Sequence, residues 1–149
     1  MISYRTAIQS TLLAAAMTLA GCSYIPGMGS DSMSMKNPVT GAQEVPPVTT
    51  GGSGTIETTF DKMTNVLTWT VTYSGLSGPV TAAHFHGPAA AGANAGVAVP
   101  FSGDLSSPIR GKATLTAAQA ADFTGGRCYV NLHTAKNPGG EIRGQLTSK

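Results

Sequence analysis

The chain holds three histidines, and they fall in two short segments. His84 and His86 stand one residue apart in TAAHFHGP (81–88), and His133 closes YVNLH in YVNLHTAKNPGGEIRGQ (129–145). Successive side chains of a strand point to opposite faces. In AAHFH, Ala83 and Phe85 therefore share one face while His84 and His86 share the other. In RCYVNLH, Cys128, Val130 and Leu132 form an apolar face opposite Arg127, Tyr129, Asn131 and His133. With apolar faces inward, all three histidines point away from the core. Two imidazoles side by side on a strand can share one metal ion, and a third from a neighbouring strand completes a three-nitrogen site. Imidazole suits copper and zinc. The same pattern also describes an exposed polar face that binds nothing.

Other chemistry is sparse. Glu44 and Glu141 stand alone, so no carboxylate pair is placed for acid–base work. There is no G-x-S-x-G elbow, and the glycines follow turns rather than opening a helix. Met28, Met33 and Met35 form an M-x(4)-M-x-M run, and soft thioethers select Cu(I). These methionines are accessory copper ligands if their segment folds back on the domain. Cys128 lies on the opposite strand face from His133 and reads as a core residue, since free cysteine behaves as a small buried hydrophobe.

The elements that must hold the histidines are short and β-rich. Arg5 and the apolar stretch Ala7 to Leu19 have the layout of a secretory signal segment, too short for a permanent span. It closes on LAGC, residues 19–22, which resembles the lipobox of bacterial lipoproteins. That resemblance implies cleavage after residue 21 and acylation of Cys22. Ser23, next to it, favours the outer membrane. Residues 22–37 are rich in Gly, Ser and Met without hydrophobic period and read as a flexible tether. The domain is expected over 38–149, with VTGAQEVPP as an N-terminal edge strand. GTIETTFD, NVLTWTVTYSG, PVTAAHFHG, GVAVPFSG, SPIRGKATLT, GRCYVNLHT and GEIRGQLTS read as further strands. Thr116 and Gln119 form a capping box before AAQAADF, which predicts one short helix. The fold class is all-β, an antiparallel β-sandwich with one helix. Without Arg5 the charges nearly balance and no basic run appears, which excludes nucleic acid as a partner. With Cys22 acylated, Cys128 has no disulfide partner.

TGAQEVPPV, LTWTVTYSGLSGPVTAAHFHGPA, NAGVAVP and YVNLHTAKNPGGEIRGQL together resemble the CHRD domain family, first described in chordin. The resemblance covers about Thr40 to Leu146. Cys128 departs from it, standing where that family usually has an aromatic residue. A more local likeness is to Cu/Zn superoxide dismutases, whose H-x-H stretch and later GR…VVH strand supply copper ligands. It implies a copper-like site at His84, His86 and His133 on a Greek-key sandwich of dismutase-like or immunoglobulin-like type. Arg143 falls near, but out of register with, that family's active-site arginine. The bridging histidine and the zinc ligands have no counterpart here.

These readings converge on a lipid-anchored CHRD protein of the bacterial envelope, facing the periplasm and non-catalytic. It would hold or relay copper, with a periplasmic copper protein or another envelope protein as partner. The alternative is a structural or protein-interaction module without metal. A copper-dependent dismutase-like enzyme is the least favoured reading.

Overall fold

The computed structural model describes residues 31–148. The expected signal segment, Cys22 and Met28 lie outside them. Among the described residues eight strands form one antiparallel sheet: β1 (Ser32–Thr40), β2 (Ser53–Asp61), β3 (Val66–Ser74), β4 (Val80–His86), β5 (Val97–Pro100), β6 (Ile109–Thr114), β7 (Cys128–Thr134) and β8 (Ile142–Leu146). Their order is β5-β4-β7-β8-β1-β2-β3-β6. The one α-helix among the described residues, α1 (Ala117–Thr124), lies between β6 and β7. Hydrogen bonding is continuous through the sheet, which curls until its two ends nearly meet. Trp69 of β3 packs edge-on against Phe85 of β4, ring centroids 5.1 Å apart, and stacks on Phe101 at 4.7 Å. Gly111 pairs with Trp69 across β3 and β6, and a Cβ there would lie 2.3 Å from the indole, so only glycine leaves the ring its place.

The sequence periods explain the elements. Leu67, Trp69 and Val71 point inward from β3, as Cys128, Val130 and Leu132 do from β7. Asp61 Oδ1 accepts from the Met63 and Thr64 N–H groups at 2.8 and 3.0 Å, which shapes the β2–β3 hairpin loop. Thr116 and Gln119 form the expected capping box. Gln119 then donates from Nε2 to the Ala98 carbonyl at 2.8 Å, fastening α1 over the β5 edge. Phe123 packs on Phe60 at 5.5 Å, so the helix adds to the same core.

The N-terminal organisation differs from the expectation. Residues 32–37, read as tether, are the first six residues of β1, which pairs with β2 along its whole length. Met35 and Val39 are buried in the core, and Met33 packs against it. The expected edge strand VTGAQEVPP is not one. Val39 and Thr40 end β1, and Gly41–Gln43 form a 3-10 turn. β1 is also interior, lying between β8 and β2.

One buried carboxylate fastens the loops. Glu141 is 0 % exposed. It accepts from Thr50 Oγ1 at 2.6 Å, Ser77 N at 2.8 Å, Ser77 Oγ at 2.5 Å and Thr134 Oγ1 at 2.6 Å. Burial alone would raise its pKa, but these hydrogen bonds favour the ionised form and hold it at about 2. Glu141 looked isolated in sequence because its partners are hydroxyls on distant segments.

Candidate metal centre

β4 and β7 pair antiparallel with His84 opposite Asn131 and His86 opposite Tyr129. That register brings the two histidine segments onto one face. One ring nitrogen from each of His84, His86 and His133 lies within 4.8 Å of the others. The ring centroids of His84 stand 5.5 Å from His86 and 5.0 Å from His133. His84 Nδ1 and His133 Nε2 are 3.2 Å apart. Two nitrogens bound to one tetrahedral ion at 2.0–2.1 Å would stand about 3.3 Å apart. This edge of a coordination polyhedron is therefore nearly formed.

Two rings are oriented by backbone carbonyls, which can only accept. His86 Nδ1 donates to Ala95 O at 3.0 Å, and His133 Nδ1 donates to Pro138 O at 2.9 Å. In both rings the proton is thereby fixed on Nδ1, leaving an Nε2 lone pair. Metal-bound histidines commonly have this arrangement, because a carbonyl on the far nitrogen sets the tautomer and the ring direction. His86 Nε2 is buried with no hydrogen-bond partner. The pKa of His84 is lowered by burial and then by the nearness of His133 and His86. That of His133 is lowered by burial and by His86, against the opposing Pro138 hydrogen bond. Both shifts favour the neutral imidazole that a metal requires.

The histidines do point away from the apolar core, but loops cover that face. His86 is 9 % exposed, Asn131 3 % and Arg143 1 %. The 87–96 loop lies over them. Its Ala93 O and Asn94 Oδ1 accept from Arg143 at 2.6 and 2.9 Å, and its Ala95 N–H donates to the Tyr129 hydroxyl at 3.2 Å. His86 stacks flat on Tyr129, centroids 4.8 Å apart, and the Arg143 guanidinium caps the other face of Tyr129 at 3.4 Å. Arg143 is thus the back of a stack supporting His86. Its terminal nitrogens are engaged by the loop, unlike those of an arginine at a site mouth.

Met33 and Met35 do not join the site. Met35 is part of the core and Met33 packs against it, because β1 runs through the sheet and turns both inward. Cys128 is in the same core, and burial pushes its thiol up to about 11, which leaves it a packing residue. Four participants carry no assigned role in the sequence reading. Asn131 shares the His133 face two residues away, a signal that was present, and its Oδ1 lies 3.0 Å from His133 Nε2. Glu44 is buried on the turn after β1. Burial raises its carboxyl to about 7, against the lowering effects of Arg143, Asn131 and the Val45 N–H. The carbonyls of Ala95 and Pro138 carry no sequence signal, since every residue has one.

The CHRD domain family model matches residues 35–146. The chain belongs to the CHRD family. The match takes in β1 from Met35, the histidine strands and β8, so this centre lies wholly within the CHRD domain. No curated protein and no solved structure matches the chain.

Proposed function

We propose that this CHRD domain is a non-catalytic module of the bacterial envelope. In this reading it is anchored by acylated Cys22 and binds one metal ion, copper favoured, through His84, His86 and His133. CHRD membership supports a module of the protein-interaction type. The observation that carries the metal reading is the convergence of three ring nitrogens, two of whose rings are pre-oriented by Ala95 O and Pro138 O. Pre-orientation lowers the cost of assembling the site when the ion arrives. Among the described residues this is the one group of three or more His, Cys, Asp or Glu side chains placed to hold a metal. That supports a mononuclear site for holding or relaying an ion, and offers no support to a two-metal dismutase centre.

The test is a competition titration of the purified chain with Cu(II), Cu(I) and Zn(II), beside a variant with His84, His86 and His133 all changed to alanine. Stoichiometric binding that the variant loses is the expected result. Equal binding by both proteins would refute the three-histidine site and leave the protein-interaction module without metal. Anchoring is tested separately: incorporation of labelled palmitate should be lost in Cys22→Ser.

A further inference from the structure

We propose that the side-chain carbonyl of Asn131 is a fourth ligand of this centre, aimed by Glu44, and that the site therefore selects a divalent ion over Cu(I). The proposal rests on the three-histidine reading and deepens it.

The face that Asn131 and His133 share carries an electrostatic mismatch. His133 gives its Nδ1 proton to Pro138 O, so the neutral ring presents a lone pair at Nε2. Asn131 Oδ1, which also can only accept, faces that nitrogen at 3.0 Å. Two acceptors at hydrogen-bond distance repel unless something positive lies between or beside them. His84 Nδ1 lies 3.2 Å from the same nitrogen, and His86 brings a buried Nε2 with no partner. A single proton satisfies one of these contacts. A metal ion satisfies all four atoms. With bonds of about 2.0–2.2 Å, neighbouring ligand atoms in a tetrahedral site stand roughly 3.3–3.6 Å apart. The two measured edges need to open by a few tenths of an ångström, and the three ring nitrogens, within 4.8 Å of one another, need to draw together.

The amide is held in this sense from behind. Asn131 Nδ2 and Glu44 Oε1 both press on Gly140, where a Cβ would lie 2.8 and 2.4 Å from them. The Asn131 amide nitrogen lies beside the Glu44 carboxyl, whose Oε1 is buried with no hydrogen-bond partner. A buried carboxyl on the nitrogen side of the amide leaves the carbonyl oxygen no direction but the histidines. Glu44 is thus a positioning residue acting through Asn131. The resulting set is three imidazole nitrogens and one carbonyl oxygen, with no sulfur. Oxygen and nitrogen donors suit Cu(II) and Zn(II), whereas Cu(I) prefers thiolate or thioether.

The test uses the full chain with Zn(II), Cu(II) or Cu(I) as the added metal. Asn131→Ala should weaken Zn(II) and Cu(II) binding by at least about tenfold, and Glu44→Gln by a smaller factor. Cu(I) binding should change least in both. Because Asn131 is buried and its variant can misfold, the wild type supplies a second readout. On Zn(II) addition the Asn131 side-chain carbonyl 13C resonance should shift in step with the 15N resonances of the three imidazoles. Histidine resonances that shift while the Asn131 carbonyl stays still would overturn the fourth ligand and leave the three-histidine site standing. Divalent affinities in folded Asn131→Ala equal to wild type would do the same. No binding by the wild type would overturn both.

Discussion

Replacing Glu141 with alanine would release three connections at once. Thr50 belongs to the segment between β1 and β2, Ser77 to the segment between β3 and β4, and Thr134 to the end of β7. Each hydrogen bond to a charged acceptor contributes about 1.5–3 kcal/mol net. The four do not simply add, because Ser77 Oγ and Thr134 Oγ1 already lie 3.1 Å apart and can turn to each other. That leaves the Ser77 N–H and the Thr50 hydroxyl without an acceptor, a loss of about 3–5 kcal/mol. For a domain of this size the melting temperature should fall by roughly 15–25 °C. Urea unfolding followed by the fluorescence of Trp69, the chain's single and buried tryptophan, reads the change. The exposed Lys36–Glu57 pair is the control, and Glu57→Ala should leave the midpoint where it was. The pH dependence has a definite sign. The Glu141 carboxyl sits at about 2 in the folded chain against an ordinary 4.5. Its contribution is therefore present above pH 4.5 and is lost as pH falls toward 2. Glu141→Gln should flatten that acid limb. A loss below about 1 kcal/mol in Glu141→Ala would refute the clamp.

Three further outcomes follow from the site and its surroundings. Gly140→Ala, at φ 128° and against Glu44 and Asn131, should cost about 1–3 kcal/mol in the same unfolding assay and weaken divalent metal binding in the competition titration. Cys128, buried and with its thiol pushed up to about 11, should resist maleimide labelling at pH 7 in the native chain and react fully in urea, as read by site-resolved mass spectrometry. Protonation competes with metal at His84 and His133, so Zn(II) affinity should fall steeply below about pH 6, and a titration unchanged at pH 4.5 would count against imidazole ligands.

Most strands were legible because their inner faces alternate cleanly, as Leu67, Trp69 and Val71 do, and because turn residues mark their ends. The helix was legible from the Thr116–Gln119 capping box and the helix formers of AAQAADF that follow it. β1 was not. Its inward positions include Met35, Val39 and the polar Asn37, which is buried by donating to Thr147 O at 3.0 Å. Pro38 interrupts the same run, and proline ordinarily argues against an interior strand. Here β1 is paired along its length with β2 but with β8 only at Thr40–Arg143, which eases the loss of an N–H. The histidine face was legible from period two, while its depth was not. The 87–96 loop that covers it is a run of small residues whose backbone does the binding. Glu44 and Glu141 read as isolated carboxylates for the same reason: their neighbours come together only once the sheet curls.

The early start of β1 also bears on where the centre can operate. Nine residues, Ser23 to Asp31, separate the proposed lipid attachment from the first strand residue. Whatever path they take, nine residues span at most about 30 Å. An acylated chain would hold the start of β1 within about the thickness of the hydrocarbon layer from the bilayer. The domain would then work as a fixture of the membrane surface, and an exchange partner would have to approach along that surface.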